Sequence, residues 1–105
     1  MIHFAGLILL ALVVVQKPFV ADPPTTCEAC AEWNTPREPF RLHGDSYYVG
    51  TDGLSAILIT GKAGHILLDG GLPQSAPLID RNIRGLGLKT EDIKAITNSH
   101  AHFDH

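Results

Sequence analysis

Residues 93–105 read IKAITNSHAHFDH, so a short apolar run leads directly into three histidines and an aspartate. Lys94 to Asn98 has the composition of a buried strand. Four side chains of metal-ligand type follow it within six residues: His100, His102, Asp104 and His105. A lone histidine is ordinarily a surface or core residue, but four ligand-type residues at this spacing favour a metal site.

The spacing of these side chains predicts how they share the metal. In an extended segment, residues two apart project to the same side, so we expect His100 and His102 to reach one cation at about 2.0 Å. Asp104 and His105 are adjacent and point in different directions unless the backbone turns, which favours two metals on one loop. Imidazole and carboxylate without thiolate suit zinc, with iron and manganese as alternatives, and are typical of catalytic sites open to water.

Upstream of the histidines, short apolar runs separated by glycines predict closely spaced strands. Two of them are SYYV at 46–49 and SAILIT at 55–60. The turn-prone GKAG at 61–64 then leads into HILLDG at 65–70, so residues 55–69 predict a β-hairpin. The continuous apolar character of its strands predicts burial on both faces.

A helix is predicted between this hairpin and the final strand. Ser75 is a candidate cap, Pro77 is tolerated in the first turn, and Gly85 and Gly87 end the helix. Its apolar stripe consists of Ile79, Ile83 and Leu86. Thr90-Glu91-Asp92 predicts a short helical turn. The order of strands, helix and strand suits a layered α/β domain with a helix packed on a sheet.

The front of the chain predicts export. Residues 4–15, FAGLILLALVVV, would rise only about 18 Å as a helix, which is short of the roughly 30 Å core of a bilayer. We therefore interpret residues 1–21 as a signal peptide, with a buried core helix as the alternative, and expect a periplasmic or secreted protein. The whole chain of 105 residues has net charge −3, which gives no basic surface for nucleic acid, and no stable membrane association is expected after cleavage.

Cys27 and Cys30 form a C-x-x-C in the amino-terminal arm, residues 22–35. Three interpretations stay open. The thiols could close a small disulfide or pair elsewhere, whereas half a zinc ribbon would need a second C-x-x-C that the sequence lacks. A thioredoxin-like redox pair would need a preceding apolar strand, which is absent from this stretch. Structural or incidental cysteines are favoured.

Three stretches taken in order carry a resemblance to a known family: YYVGTDGLSAILIT, GHILLDGGLPQSAPLI and IKAITNSHAHFDH. With the His-x-His-x-Asp-His motif, residues 36–105 resemble the metallo-β-lactamase superfamily. The histidine after the motif aspartate, with no cysteine nearby, resembles subclass B3 and not B1. His100 departs from subclass B2, which has asparagine there.

The resemblance implies the first part of an αββα sandwich, with residues 36–105 as the start of a longer domain. It implies that His100 and His102 hold one zinc ion and that Asp104 and His105 hold a second. Asp104 would also orient the nucleophile, and Asp69 would support the zinc-binding loop. The implied activity of the complete protein is hydrolysis of the β-lactam amide bond of small-molecule antibiotics by a metal-activated hydroxide.

Two alternatives to this activity remain open. Another hydrolase of the superfamily, such as a glyoxalase II or a lactonase, shares the same motif because the same hydroxide attacks thioesters and lactones. A truncated, inactive metal-binding product is the other alternative, because relatives place further zinc ligands downstream. We expect residues 1–105 alone to be inactive.

Overall fold

The computed structural model describes residues 22–105, and the centre of this part is a five-stranded sheet. The strands are β1 (Phe40–His43), β2 (Ser46–Tyr48), β3 (Ile57–Ile59), β4 (His65–Leu68) and β5 (Ile93–Thr97). They lie side by side in chain order; β1 to β4 pair antiparallel, and β5 pairs parallel to β4. The four predicted strands and the hairpin are confirmed, with ends shifted by at most two residues. The burial predicted for the last strand is wrong within residues 22–105, because Ile93 is half-buried and the other residues of β5 are exposed.

Three short elements were missed by sequence reasoning: β1, a one-turn helix in the arm and the 3-10 turn Pro73–Ser75. Strand β1 has the sequence FRLH, and all four of its residues are exposed, so it carries no burial pattern. It exists because its backbone pairs with β2, with an irregularity between Arg41 and His43. The one-turn helix is α1 (Cys30–Trp33).

Helix α2 (Ala76–Gly85) crosses from β4 to β5 and covers one face of the sheet. The core consists of Val49, Ala56, Leu58, Leu67, Ile79 and Ile83. The predicted stripe is therefore confirmed, with Leu86 packed half-buried at its end. The predicted helix end is also confirmed, since α2 stops at Gly85 and Gly87 has a φ of +77°. The predicted turn forms a 3-10 helix, Thr90–Asp92.

The capping role predicted for Ser75 is wrong. A 3-10 turn, Pro73–Ser75, precedes α2, so the backbone of Ser75 is already helical and its side chain makes no cap hydrogen bond to α2. The Ser75 hydroxyl instead accepts from the backbone N–H of Leu72 at 3.0 Å and donates to Asn34 Oδ1 at 2.7 Å.

Burial of the hairpin on both faces is also wrong within residues 22–105. Side chains alternate along β3 and β4, so Leu58 and Leu67 face α2 while Ile59 and Ile66 lie on the other face. Those two isoleucines are 41% and 43% exposed. The apolar run predicted burial correctly on the face that α2 covers, and only there.

The arm folds onto the domain through its cysteines. Cys27 and Cys30 form a disulfide, which is the first of the three interpretations. Cys30 is buried with Leu54 and Leu72, and Trp33 packs half-buried against them. No helix within residues 22–105 is long and apolar enough to span a membrane. The signal peptide predicted at 1–21 lies outside the described residues.

Candidate metal site

The candidate site lies where β4 and β5 end. Because these strands are parallel neighbours, their carboxyl ends meet at the same edge of the sheet. Asp69 follows β4, and its backbone N–H donates to Thr97 O at 2.8 Å. One residue further on, Gly70 donates its N–H to His105 O at 2.9 Å. Two backbone hydrogen bonds thus tie the turn after β4 to both ends of the segment that holds the predicted ligands.

Asp69 is the buried centre of this edge, with only 6% of its surface exposed. Its Oδ1 accepts from the backbone N–H of Ser99 at 2.7 Å, and its Oδ2 accepts from the Ser99 hydroxyl at 2.6 Å. Oδ2 also lies 3.4 Å from His105 Nδ1. Burial raises the pKa of Asp69, but the bonds from Ser99 and the contact with His105 outweigh it, so the pKa lies below its ordinary value. Asp69 is therefore a carboxylate at neutral pH.

The three histidines of the motif lie close together around this edge. The ring centres of His100 and His102 are 4.4 Å apart, and those of His100 and His105 are 5.2 Å apart, both with edge-to-face orientation. His100 and His102 are exposed, whereas Asp104 and His105 are half-buried.

The extended conformation predicted for this segment is wrong. Residues 99–104 form bends and a turn, and the backbone N–H of His105 donates to His102 O at 3.3 Å. The chain folds back because both of its ends are anchored to the turn after β4. The imidazole rings of His100 and His102 are therefore brought together by this bend, and not by the alternation of side chains along an extended segment.

The residues present fit zinc in their chemistry and spacing. Two imidazoles bound to one tetrahedral ion at about 2.0 Å have ring centres about 5 Å apart, close to both separations seen here. Within residues 22–105, however, no three His, Cys, Asp or Glu side chains converge closely enough to hold an ion as they stand. The site is thus a cluster of suitable donors whose side chains are not in a closed coordination shell.

Ser99 is a site residue that sequence reasoning missed. Its hydroxyl lies 3.3 Å from His105 Nδ1, which gives a serine, histidine and aspartate constellation. The shorter contact goes to Asp69, so the hydroxyl proton is donated to the carboxylate and not to the imidazole. Ser99 is therefore held as a support and not activated as a nucleophile. The sequence signal that could have found Ser99 is its position, between the end of the predicted strand and the first candidate ligand, His100.

Two other histidines lie away from this edge. His65 is buried at the start of β4, where its Nδ1 accepts from the backbone N–H of Gly61 at 3.3 Å. His43 is exposed at the end of β1. Both are structural or surface residues.

Comparison with known proteins assigns the family. Residues 49–105 match the family model described as the metallo-beta-lactamase superfamily. The chain belongs to the metallo-beta-lactamase superfamily. The αββα fold expected from the sequence agrees with this membership, since the solved structures that the chain resembles have the metallo-beta-lactamase fold over the part that it covers.

Three solved structures show how close the likeness is. Rm3 metallo-beta-lactamase is 57% identical with a TM-score of 0.73, over 77% of this chain and 30% of that one. MEM-A1, a subclass B3 metallo-beta-lactamase from a soil metagenome library, is 62% identical with a TM-score of 0.68, over 70% and 28%. SMB-1, in a complex with mercaptoacetic acid, is 44% identical with a TM-score of 0.67, over 70% and 28%. The expected resemblance to subclass B3 is confirmed, and the chain spans less than a third of the length of these relatives.

Proposed function

We propose that the complete protein hydrolyses the β-lactam amide bond of antibiotics with zinc. The observation that carries the proposal is the cluster of three imidazoles at the end of β5, held beside a buried carboxylate. The identity of 44% to 62% with metallo-beta-lactamases supports the substrate class. The proposed substrate is a small molecule, and the structure of SMB-1 in a complex with mercaptoacetic acid supports a site that takes small-molecule ligands.

The proposed division of ligands follows the motif. His100 and His102 hold one zinc ion, and Asp104 and His105 hold a second. When bound, zinc supplies Lewis acidity that lowers the pKa of water toward 7 and polarises a carbonyl. Asp104 has a second role in orienting the nucleophile.

The supporting residues set the state of the ligands. Asp69, as a carboxylate, accepts a hydrogen bond from His105 Nδ1–H, which leaves Nε2 of that ring free for metal. Ser99 keeps Asp69 in place through its hydroxyl and its backbone N–H. In this arrangement Asp69 and Ser99 fix which nitrogen of His105 faces the metal, without touching the substrate themselves.

The proposal includes export, with residues 1–21 as a signal peptide and the mature protein in the periplasm or secreted. Its support is the sequence of that segment. N-terminal sequencing of the mature protein recovered from the periplasm or medium checks it; retention of Met1 in the cytoplasm would contradict it.

The function is tested by measuring carbapenem hydrolysis catalysed by the protein expressed from the whole reading frame. We expect hydrolysis that a chelator abolishes and added zinc restores. His102→Ala should abolish it, whereas the matched control His43→Ala, an exposed histidine on β1, should leave it unchanged. Unchanged activity of His102→Ala would contradict the metal assignment. Faster turnover of thioesters or lactones than of β-lactams would favour another hydrolase of the superfamily.

A further inference from the structure

The amino-terminal arm contacts the turn that follows Asp69. Gln74 lies in this turn, and its side-chain amide makes two hydrogen bonds with the backbone of Thr25. The N–H of Thr25 donates to Gln74 Oε1 at 3.0 Å, and Gln74 Nε2 donates to Thr25 O at 2.8 Å. The pair is reciprocal and partly buried, so one side chain fixes both the position and the direction of the arm at this point.

Asn34 adds a second connection between the arm and the same turn. Its Nδ2 donates to Gln74 O at 3.3 Å, and its Oδ1 accepts from the Ser75 hydroxyl at 2.7 Å. The Ser75 hydroxyl in turn accepts from Leu72 N–H at 3.0 Å. The Asn34 side chain thus contacts a hydroxyl that closes the turn on itself.

The arm itself is held in a fixed shape. The disulfide between Cys27 and Cys30 closes residues 27–30 into a small loop, which lies between Thr25 and Asn34, and Cys30 is buried. Beyond it, Trp33 O accepts from the Thr51 hydroxyl at 2.6 Å. The two residues through which the arm contacts the turn, Thr25 and Asn34, therefore flank a covalently closed loop, and the arm between them is bonded to the segment that joins β2 and β3.

The opposite side of the turn contacts the candidate site. Its first residues have left-handed backbone conformations, with φ of +62° at Asp69 and +66° at Gly71. A Cβ at Gly71 would lie 2.7 Å from Ser75 Oγ, so the turn is tightly closed. Gly70 donates to His105 O at the site itself. Residues 69–75 are thus fixed by the arm on one side and bonded to a proposed metal ligand on the other.

We infer that the disulfide-closed arm positions the metal site, and that Gln74 is the positioning residue through which it acts. The inference rests on the proposed function, because it concerns the same metal site. Removing the contacts of Gln74 loosens residues 69–75, and the looser turn no longer holds Asp69 and His105 in the arrangement that a metal needs. Partners of metal ligands affect affinity in this way even when they touch no metal.

Amide hydrogen exchange of the metal-free protein, expressed from the whole reading frame, tests the first step. Gln74→Met keeps the length of the side chain and removes its hydrogen bonds. We expect exchange at residues 70–75 to become about tenfold faster, which is the order of the net effect of losing the two hydrogen bonds with Thr25. The matched control is Thr60→Val, which removes the hydroxyl bond to Asp45 O at the other end of the sheet. It should leave residues 70–75 as in wild type.

Metal affinity and the absorption spectrum of the cobalt-substituted protein test the second step. Gln74→Met should weaken affinity about tenfold and alter the cobalt spectrum, while Thr60→Val should change neither. Thr25→Pro, which deletes the N–H donor on the arm, and the double variant Cys27→Ser with Cys30→Ser should act in the same direction. Thr25→Pro also provides the test if Gln74→Met fails to fold.

Each outcome decides the inference. Exchange and affinity like those of wild type in Gln74→Met would overturn it. Faster exchange with unchanged affinity and spectrum would also overturn it, since the arm would then stabilise the turn without positioning the site. Wild-type behaviour of the double serine variant would overturn the role of the disulfide. Exchange and metal binding are read without substrate, so failure of β-lactam hydrolysis is a separate result.

Discussion

The two segments that meet at the candidate site are built in opposite ways. The turn after β4, residues 69–75, has buried residues at Asp69, Leu72 and Ser75. The segment after β5, residues 98–105, is mostly exposed, and its three histidine rings contact each other or Asp69. The first segment is a scaffold, and the second carries the groups that would bind metal.

This difference predicts that the residues that stabilise the fold are distinct from those that bind metal. A buried carboxylate with several hydrogen bonds is costly to remove, because its donors lose their partner in a region with little water. An exposed histidine is solvated in both the folded and the unfolded chain, so its removal changes the free energy of unfolding little. Substitutions of the buried turn residues and of their hydrogen-bond partner Ser99 should therefore reduce stability, and substitutions of the exposed histidines should reduce metal binding.

Asp69→Ala should have the largest effect on stability. It removes an acceptor of two hydrogen bonds from Ser99 and places alanine at a φ of +62°, which is unfavourable for a residue with a Cβ. We expect a loss of about 3 kcal/mol in the free energy of unfolding of the metal-free protein, measured by urea denaturation. Asp69→Asn, which tolerates this φ, should lose less. A loss under about 1 kcal/mol for the alanine variant would show that the turn is not the scaffold.

Ser99→Ala should have an intermediate effect. It removes the hydroxyl donor to Asp69 Oδ2 and leaves the backbone N–H bond to Oδ1 in place. We expect a loss of about 1 kcal/mol by the same denaturation experiment. The chain offers Thr35→Ala as a control, which removes an exposed hydroxyl bond to Glu32 O in the arm. Equal losses in the two variants would mean that burial of Asp69 adds nothing to the bond from Ser99.

The sequence predicted the strands and the helix that are encoded by patterns among neighbouring residues. Apolar runs predicted β2 to β5, and the spacing of Ile79 and Ile83 predicted the buried face of α2. The motif predicted the candidate ligands, because closely spaced histidine and aspartate residues can be recognised in the sequence alone. Their placement on an exposed bend could not be seen, since it depends on hydrogen bonds from residues 69 and 70 to a segment about thirty residues later.

The parts that the sequence did not predict depend on distant contacts or on exposed backbone. The bond between Thr25 and Gln74 joins residues 49 positions apart, and no local pattern encodes that distance. Strand β1 has no buried side chain, so its pairing with β2 leaves no periodic signal. Exposure of Ile59 and Ile66 depends on what packs against the sheet, which a run of apolar residues does not specify.

His100→Ala should have the smallest effect on stability and a large effect on chemistry. The ring is exposed and contacts the rings of His102 and His105. We expect the free energy of unfolding of the metal-free protein to change by less than about 0.5 kcal/mol, while zinc affinity, measured by competition with a chromophoric chelator, falls at least about a hundredfold. Phe103→Ala is the matched control, because Phe103 lies in the same turn, is 59% exposed and has no metal-binding atom. If His100→Ala destabilised the chain as much as Asp69→Ala, the exposed segment would also be part of the scaffold, and the contrast between the two strand ends would be lost.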